Sequence, residues 1–99
     1  MVTTEAVLTE VADALCHVNH REWAVSTIQS VRDDRQIATI SGSRDLFSKA
    51  FTLFSTRMDK AWNLTDCMSF IVMKDRGIDR ALTTDLHFVQ AGFRALLRE

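Results

Sequence analysis

Residues 65–85, TDCMSFIVMKDRGIDRALTTD, contain the signals for a helix, its end and a strand in direct succession. Apolar residues three and four positions apart predict a helix over residues 66–76, with Thr65 as its N-cap. Gly77 follows as a residue that can adopt the left-handed conformation at a helix end. Residues 80–84 are predicted to form a strand. The stretch is therefore predicted to be one helix–strand unit.

The rest of the chain continues this alternation of helices with short strands. Such an order indicates an α/β sandwich with a parallel sheet. The further predicted elements are helices over residues 4–18, 21–34 and 44–58, strands over residues 36–40 and 93–97, and a short helical turn over residues 86–91.

The composition limits the classes of protein to which this chain can belong. Its 99 residues are enough for one domain with a single core. A net charge of −1 argues against a protein that holds nucleic acid by bulk electrostatics, although an enzyme can still grip phosphates through a metal ion. The first residues do not form a signal peptide, and no stretch approaches the ~20 apolar residues of a membrane span. We therefore expect a soluble, cytoplasmic, single-domain protein with no membrane partner.

Apolar and aromatic side chains at helical spacing are expected to pack in the core. Trp23 is predicted on the inner face of the second helix, and Trp62 is predicted to cover the core. Cys16 and Cys67 are expected to be buried free thiols, because the sequence has no cysteine cluster. His87 is predicted to be a structural residue, not a general base. The third helix carries a wide apolar stripe that is also assigned to the core: Leu46, Phe47, Ala50, Phe51, Leu53 and Phe54.

Three carboxylates occupy positions where chemistry could take place. Asp66 lies in the first turn of a helix, where the helix dipole favours an anion, and Asp85 directly follows a strand, at the end where parallel sheets bind ligands. Glu10 lies on the shoulder of the first helix, about 100° from the centre of its apolar face. Carboxylates that converge need a compensating cation, and oxygen ligands suit Mg²⁺ or Mn²⁺. Taken singly, these residues are better explained as a helix-start aspartate (Asp66), a turn aspartate (Asp85) and a solvated glutamate (Glu10).

A resemblance to a known family favours a metal site over these ordinary structural roles. Several segments, in the right order, are similar to those of PIN domains, in particular of ribonuclease toxins of the VapC type: VTTEAVLTE at residues 2–10, DKAWNLTDCMSF at 59–70, RGI at 76–78, ALTTDLHF at 81–88 and AGF at 91–93. The resemblance implies a PIN-like three-layer sandwich with a parallel sheet.

The same resemblance implies an activity and its residues. The family hydrolyses RNA with Mg²⁺ or Mn²⁺, and it is usually the toxin of a toxin–antitoxin pair. Glu10, Asp66 and Asp85 would bind the metal ion, which positions and activates a water molecule. Thr65 would be a second-shell residue as well as the helix cap. RNA and an antitoxin protein are the expected partners.

The sequence departs from the family at its beginning. PIN domains start with a strand that ends in an aspartate and is followed by a helical hairpin, and neither precedes Val2 here. The expectation is a partial domain, residues 1–99, that lacks the first, central strand and one metal ligand. Its exposed strand edges predict that an isolated monomer is unstable, or that the chain is completed in a homodimer, in a strand-exchanged oligomer or by a separate N-terminal fragment. A wrong start codon, a split gene and a degraded gene would give the same sequence. The alternative function is a catalytically inactive remnant that binds an antitoxin or another partner.

Overall fold

The computed structural model describes all 99 residues, which form two compact units, Met1–Gly42 and Ser43–Glu99. Each unit contains one pair of parallel strands joined through helices. The elements are β1 (Val2–Thr4), α1 (Glu5–Ala14), α2 (Arg21–Asp33) and β2 (Ala38–Ile40) in the first unit, and α3 (Arg44–Thr56), α4 (Leu64–Asp75), β3 (Arg80–Ala81), α5 (Leu86–Gln90), β4 (Arg94–Ala95) and a 3₁₀-helix (Leu96–Arg98) in the second.

The predicted fold class is confirmed: helices alternate with short strands, and both strand pairs are parallel. The second helix is predicted to within one residue, whereas the strands after Gly77 are shorter than predicted. No helix is long and apolar enough to span a membrane.

In the first unit, strand β1 runs directly into helix α1. Thr4 is the last residue of the strand and also the N-cap of the helix, where its buried hydroxyl accepts the Val7 N–H at 3.1 Å. The helix ends at Ala14, four residues before the predicted end at residue 18. The following turn is closed by the Arg21 guanidinium, which donates two hydrogen bonds to the Cys16 carbonyl at 3.0 and 2.9 Å. A side chain from the next helix therefore holds the loop that replaces the last predicted turn.

In the second unit, helix α4 carries the core. The ring of Phe70 meets Trp62 and Phe88 edge-on, with centroid distances of 5.1 and 5.0 Å, and lies 5.7 Å from the ring of Phe93. Cys67, one turn earlier, is fully buried. Trp62 is 5% exposed, which confirms its predicted place over the core.

The predicted core stripe of helix α3 is confirmed for Ala50 and Leu53 and wrong for its three phenylalanines. Phe47, Phe51 and Phe54 are 50, 52 and 42% exposed, and the first two rings stack on each other at 6.3 Å. Helix α3 packs on α4 through other residues of the same stripe: Ala50 is fully buried, and Leu53 touches the core. The small Ala50 side chain allows the two helices to approach closely, so the bulky rings stay outside the contact.

Two further burial predictions are also wrong. Cys16 is exposed, because it lies in the turn after the shortened helix α1, whereas Cys67 is buried as predicted. Trp23 is 65% exposed, and the buried residue of helix α2 is its neighbour Ala24. In helices α2 and α3 the buried residue is an alanine, Ala24 or Ala50, and the larger aromatic residue next to it stays exposed.

Helix α4 begins two residues earlier than predicted, and its cap is Asn63, not Thr65. The Asn63 side-chain oxygen accepts the Asp66 N–H at 2.7 Å, and the Asp66 carboxylate accepts the Asn63 N–H at 3.2 Å. This reciprocal pair satisfies two backbone donors that a helix start leaves without intrahelical partners. The prediction of Thr65 is wrong because both residue types are good caps, and the acidic residue three positions on selects Asn63.

The end of helix α4 follows the prediction. Gly77 has φ +67°, and its N–H donates to the Lys74 carbonyl at 3.2 Å. The next N–H, of Ile78, donates to the Met73 carbonyl at 2.8 Å. These two bonds form a Schellman motif, which needs a left-handed residue at the position of the glycine.

We predict that Asn63→Ala lowers the free energy of unfolding by about 1 kcal/mol, because it removes the side-chain acceptor of the capping box. Urea denaturation followed by circular dichroism measures the change. Thr65→Ala is the matched control, since the same type of truncation two residues later should change stability by less than about 0.5 kcal/mol. Equal losses in the two variants would contradict the assignment of the cap.

We also predict that Ellman's reagent modifies one thiol of the native protein rapidly and the second only after unfolding. Cys16 is exposed, whereas burial and the neighbouring Asp66 charge raise the pKa of the Cys67 thiol. The reagent attacks the thiolate, so both access and ionisation protect Cys67. Loss of the rapid phase in Cys16→Ser, with the slow phase kept, would confirm the assignment; fast labelling of Cys67 would contradict its burial.

Candidate metal centre

The first acidic side chain of the site is held by the start of helix α4. Asp66 is 8% exposed, and its Oδ2 atom accepts the Asn63 N–H within the capping box. The same oxygen lies 3.0 Å from Nδ1 of His87. The dipole of a helix interacts favourably with a carboxylate at its N-terminus. The helix start thus provides a fixed carboxylate oxygen that faces His87.

The second acidic side chain caps the following helix. Asp85 is the N-cap of helix α5, where its Oδ1 accepts the His87 N–H at 2.8 Å. Its own N–H donates to the Thr83 hydroxyl at 3.0 Å. Two local hydrogen bonds therefore orient the residue between strand β3 and helix α5, and its side chain remains 42% exposed. Asp85 is both anchored and accessible.

His87 lies between the two carboxylates. Its Nδ1 is 3.0 Å from Asp66 Oδ2 and 3.6 Å from Asp85 Oδ1, and the side chain is 32% exposed. The next residue, Phe88, packs edge-on against Phe70 and so ties helix α5 to helix α4. The core contact thus sets the position of the imidazole relative to both acidic residues.

These three side chains form a donor set suited to a small divalent cation. One ligand atom from each of Asp66, Asp85 and His87 lies within 4.8 Å of the others. Ligand atoms about 2.1 Å from a common ion are about 3 Å apart when they occupy adjacent positions. The distances of 3.0 and 3.6 Å from the imidazole to the two carboxylates fit this requirement. A cation would also offset the repulsion between the two carboxylates.

The structure brings together two of the three carboxylates that the sequence singled out. Asp66 and Asp85 belong to the cluster, although Asp85 caps helix α5 and does not directly follow strand β3, which ends at Ala81. Glu10 is an exposed residue of helix α1 in the first unit, and its part in a metal site stays a prediction. The second-shell role of Thr65, now a partly buried residue in the first turn of α4, also stays a prediction.

The sequence reasoning missed the place of His87 in this cluster. It interpreted the residue as structural, because a single histidine beside an aromatic residue gives no metal-binding pattern. The available signal was its spacing from Asp85. When an aspartate caps a helix, its side chain accepts the N–H of the residue two or three positions on, which places that residue beside the carboxylate.

Comparison of the sequence with family models and with curated proteins finds no match. Among solved structures, the chain is similar to VapC20 of Mycobacterium tuberculosis, a toxin that cleaves the sarcin–ricin loop. The TM-score is 0.84 and the identity is 26%, over 93% of this chain and 70% of VapC20. The chain has the fold of a VapC-type PIN domain. In this PIN fold, the Asp66–Asp85–His87 cluster lies within the second unit, at the starts of helices α4 and α5.

We predict that Mg²⁺ or Mn²⁺ raises the melting temperature of this chain, because a ligand that binds only the native state stabilises it. Asp85→Asn should remove most of this rise, since the amide still caps helix α5 but lacks the charge. Asp79→Asn is the control: Asp79 is an exposed acid of the same unit, paired with Arg80 and outside the cluster. Differential scanning fluorimetry over a metal titration measures the shift, and an equal loss in both variants would contradict the site.

Proposed function

We propose that this chain is a metal-dependent endoribonuclease of the VapC toxin type, which hydrolyses phosphodiester bonds of RNA with Mg²⁺ or Mn²⁺. The observation that carries the proposal is the cluster of Asp66, Asp85 and His87 in a chain that has the fold of a ribonuclease toxin. Two carboxylates held a few ångströms apart at helix starts are a costly arrangement unless a cation joins them.

The proposed roles follow from how each side chain is held. A bound divalent cation supplies a Lewis acid that polarises the phosphate and lowers the pKa of water. Asp66, fixed by the capping box, and Asp85, fixed by its contacts with Thr83 and His87, hold that cation. Because Asp85 is partly exposed, a phosphate can approach the cluster from the side of this residue. Glu10 is proposed as a third carboxylate ligand and Thr65 as a second-shell residue, on the family resemblance.

We infer that the metal site provides most of the phosphate binding. The net charge of −1 gives little attraction for a polyanion, so RNA binding should depend on the cation. Arg98 adds one positive group nearby: its guanidinium donates to the Thr84 carbonyl at 2.9 Å, beside the residue that carries the second carboxylate. We propose that this guanidinium contacts the RNA backbone.

The substrate and the partner are proposed from the relative. VapC20 cleaves the sarcin–ricin loop, so a structured ribosomal RNA hairpin is the first substrate to test, beside an unstructured RNA. An antitoxin protein is the proposed protein partner.

We predict that the purified chain cleaves an end-labelled sarcin–ricin hairpin or unstructured RNA when Mn²⁺ or Mg²⁺ is added, and that excess EDTA stops the reaction. Asp85→Asn should lower the rate at least about 100-fold, because it removes a charged metal ligand while the helix cap is kept. Asp79→Asn, purified in parallel, should cleave like the original chain. Denaturing gel electrophoresis measures the products.

Two outcomes would overturn the proposal. Cleavage that is equally strong in Asp85→Asn would identify a contaminating nuclease. Absence of cleavage of either RNA at saturating metal, together with stoichiometric binding of an antitoxin, would favour the inactive partner-binding protein instead.

A further inference from the structure

We propose that His87 is a nitrogen ligand of the proposed metal ion and that it makes the site select Mn²⁺ over Mg²⁺. The inference rests on the proposed function, because it concerns the same metal ion. It changes the donor set from carboxylate oxygens alone to two carboxylates and one imidazole, and it assigns metal selectivity to one residue of helix α5.

The position of the imidazole favours a role as a metal ligand over a role as a structural hydrogen bond between helices α4 and α5. Nδ1 approaches both carboxylates, at 3.0 Å from Asp66 and 3.6 Å from Asp85, so it faces the space that the two share. The Asp66 carboxylate is oriented without help from the imidazole, because the Asn63 N–H already donates to the same oxygen. A histidine that served only as a structural hydrogen-bond donor would need one acceptor, whereas a metal ligand must face the whole donor set.

The backbone of His87 is secured independently of its ring. Its N–H donates to Asp85 as part of the helix cap, and the neighbouring Phe88 anchors the helix in the core. The imidazole can therefore be replaced without removing the cap or the core contact. Substitutions of the His87 side chain should therefore change metal binding and leave the fold intact.

The chemistry of imidazole determines the expected selectivity. Mg²⁺ binds hard oxygen ligands and keeps several of its water molecules, whereas imidazole nitrogen suits the first-row transition ions. Mn²⁺ accepts both donor types and has almost the same coordination geometry as Mg²⁺. A site with two carboxylates and one imidazole should therefore bind Mn²⁺ more tightly than Mg²⁺, and an all-oxygen version of the site should lose much of that preference.

The first measurement is the ratio of the Mn²⁺ and Mg²⁺ dissociation constants. Free Mn²⁺ is counted by its electron paramagnetic resonance signal, and Mg²⁺ is added as a competitor. His87→Asp replaces the nitrogen by oxygen and should reduce the Mn²⁺ preference about tenfold. His87→Ala should weaken Mn²⁺ binding by about the same factor. An unchanged preference in His87→Asp would overturn the assignment of selectivity.

The second measurement detects the nitrogen directly. Electron spin-echo modulation of the Mn²⁺-loaded chain should show coupling to an imidazole ¹⁴N, and His87→Asp should abolish it. The chain has only two other histidines, His17 and His20, both exposed in the turn before helix α2. The double variant His17→Ala/His20→Ala is the matched control and should keep the coupling.

The outcomes separate this inference from the function on which it rests. If Mn²⁺ binding and RNA cleavage depend on Asp85 but no histidine coupling is seen, the role of His87 is overturned and the ribonuclease proposal stands. If Mn²⁺ does not bind even at millimolar concentration, the metal site itself fails, and with it the proposed function.

Discussion

The edge-on contact between Phe70 and Phe88 is the constraint on which the second unit depends. Phe70 lies one helical turn after Asp66, and Phe88 directly follows His87, so the two rings join the starts of helices α4 and α5. Aromatic pairs in this geometry bury a large apolar area and favour one mutual orientation. The polar cluster above them is therefore positioned by apolar packing.

Asp66 shows how closely folding and the candidate site are connected. One oxygen of its carboxylate completes the capping box of helix α4 and also faces the imidazole of His87. The hydrogen bond that stabilises the helix start thus fixes the direction of the carboxylate. A metal ligand held in this way loses little conformational freedom on binding, which favours affinity. The cost is that any change of Asp66 affects stability and the site together.

Local signals in the sequence were sufficient for several parts of this structure. Gly77 ended helix α4 as predicted, because a left-handed residue is needed there, and the alternation of elements predicted parallel strands. Periodicity was insufficient for helix α3. It located an apolar stripe, but Ala50 and Leu53 make the contact with α4 while the three phenylalanine rings stay exposed. A pattern of spacing identifies apolar faces without saying which one a neighbouring helix covers.

The sequence by itself determined the α/β class, the end of helix α4 at Gly77 and the two aspartates as candidate site residues. These follow from backbone geometry and nearby residues, which act over a few positions of the chain. Only the tertiary structure decided that His87 joins Asp66, 21 residues away, within hydrogen-bonding distance. That proximity depends on how the rings of Phe70 and Phe88 pack, and packing between distant segments leaves no periodic signal in the sequence.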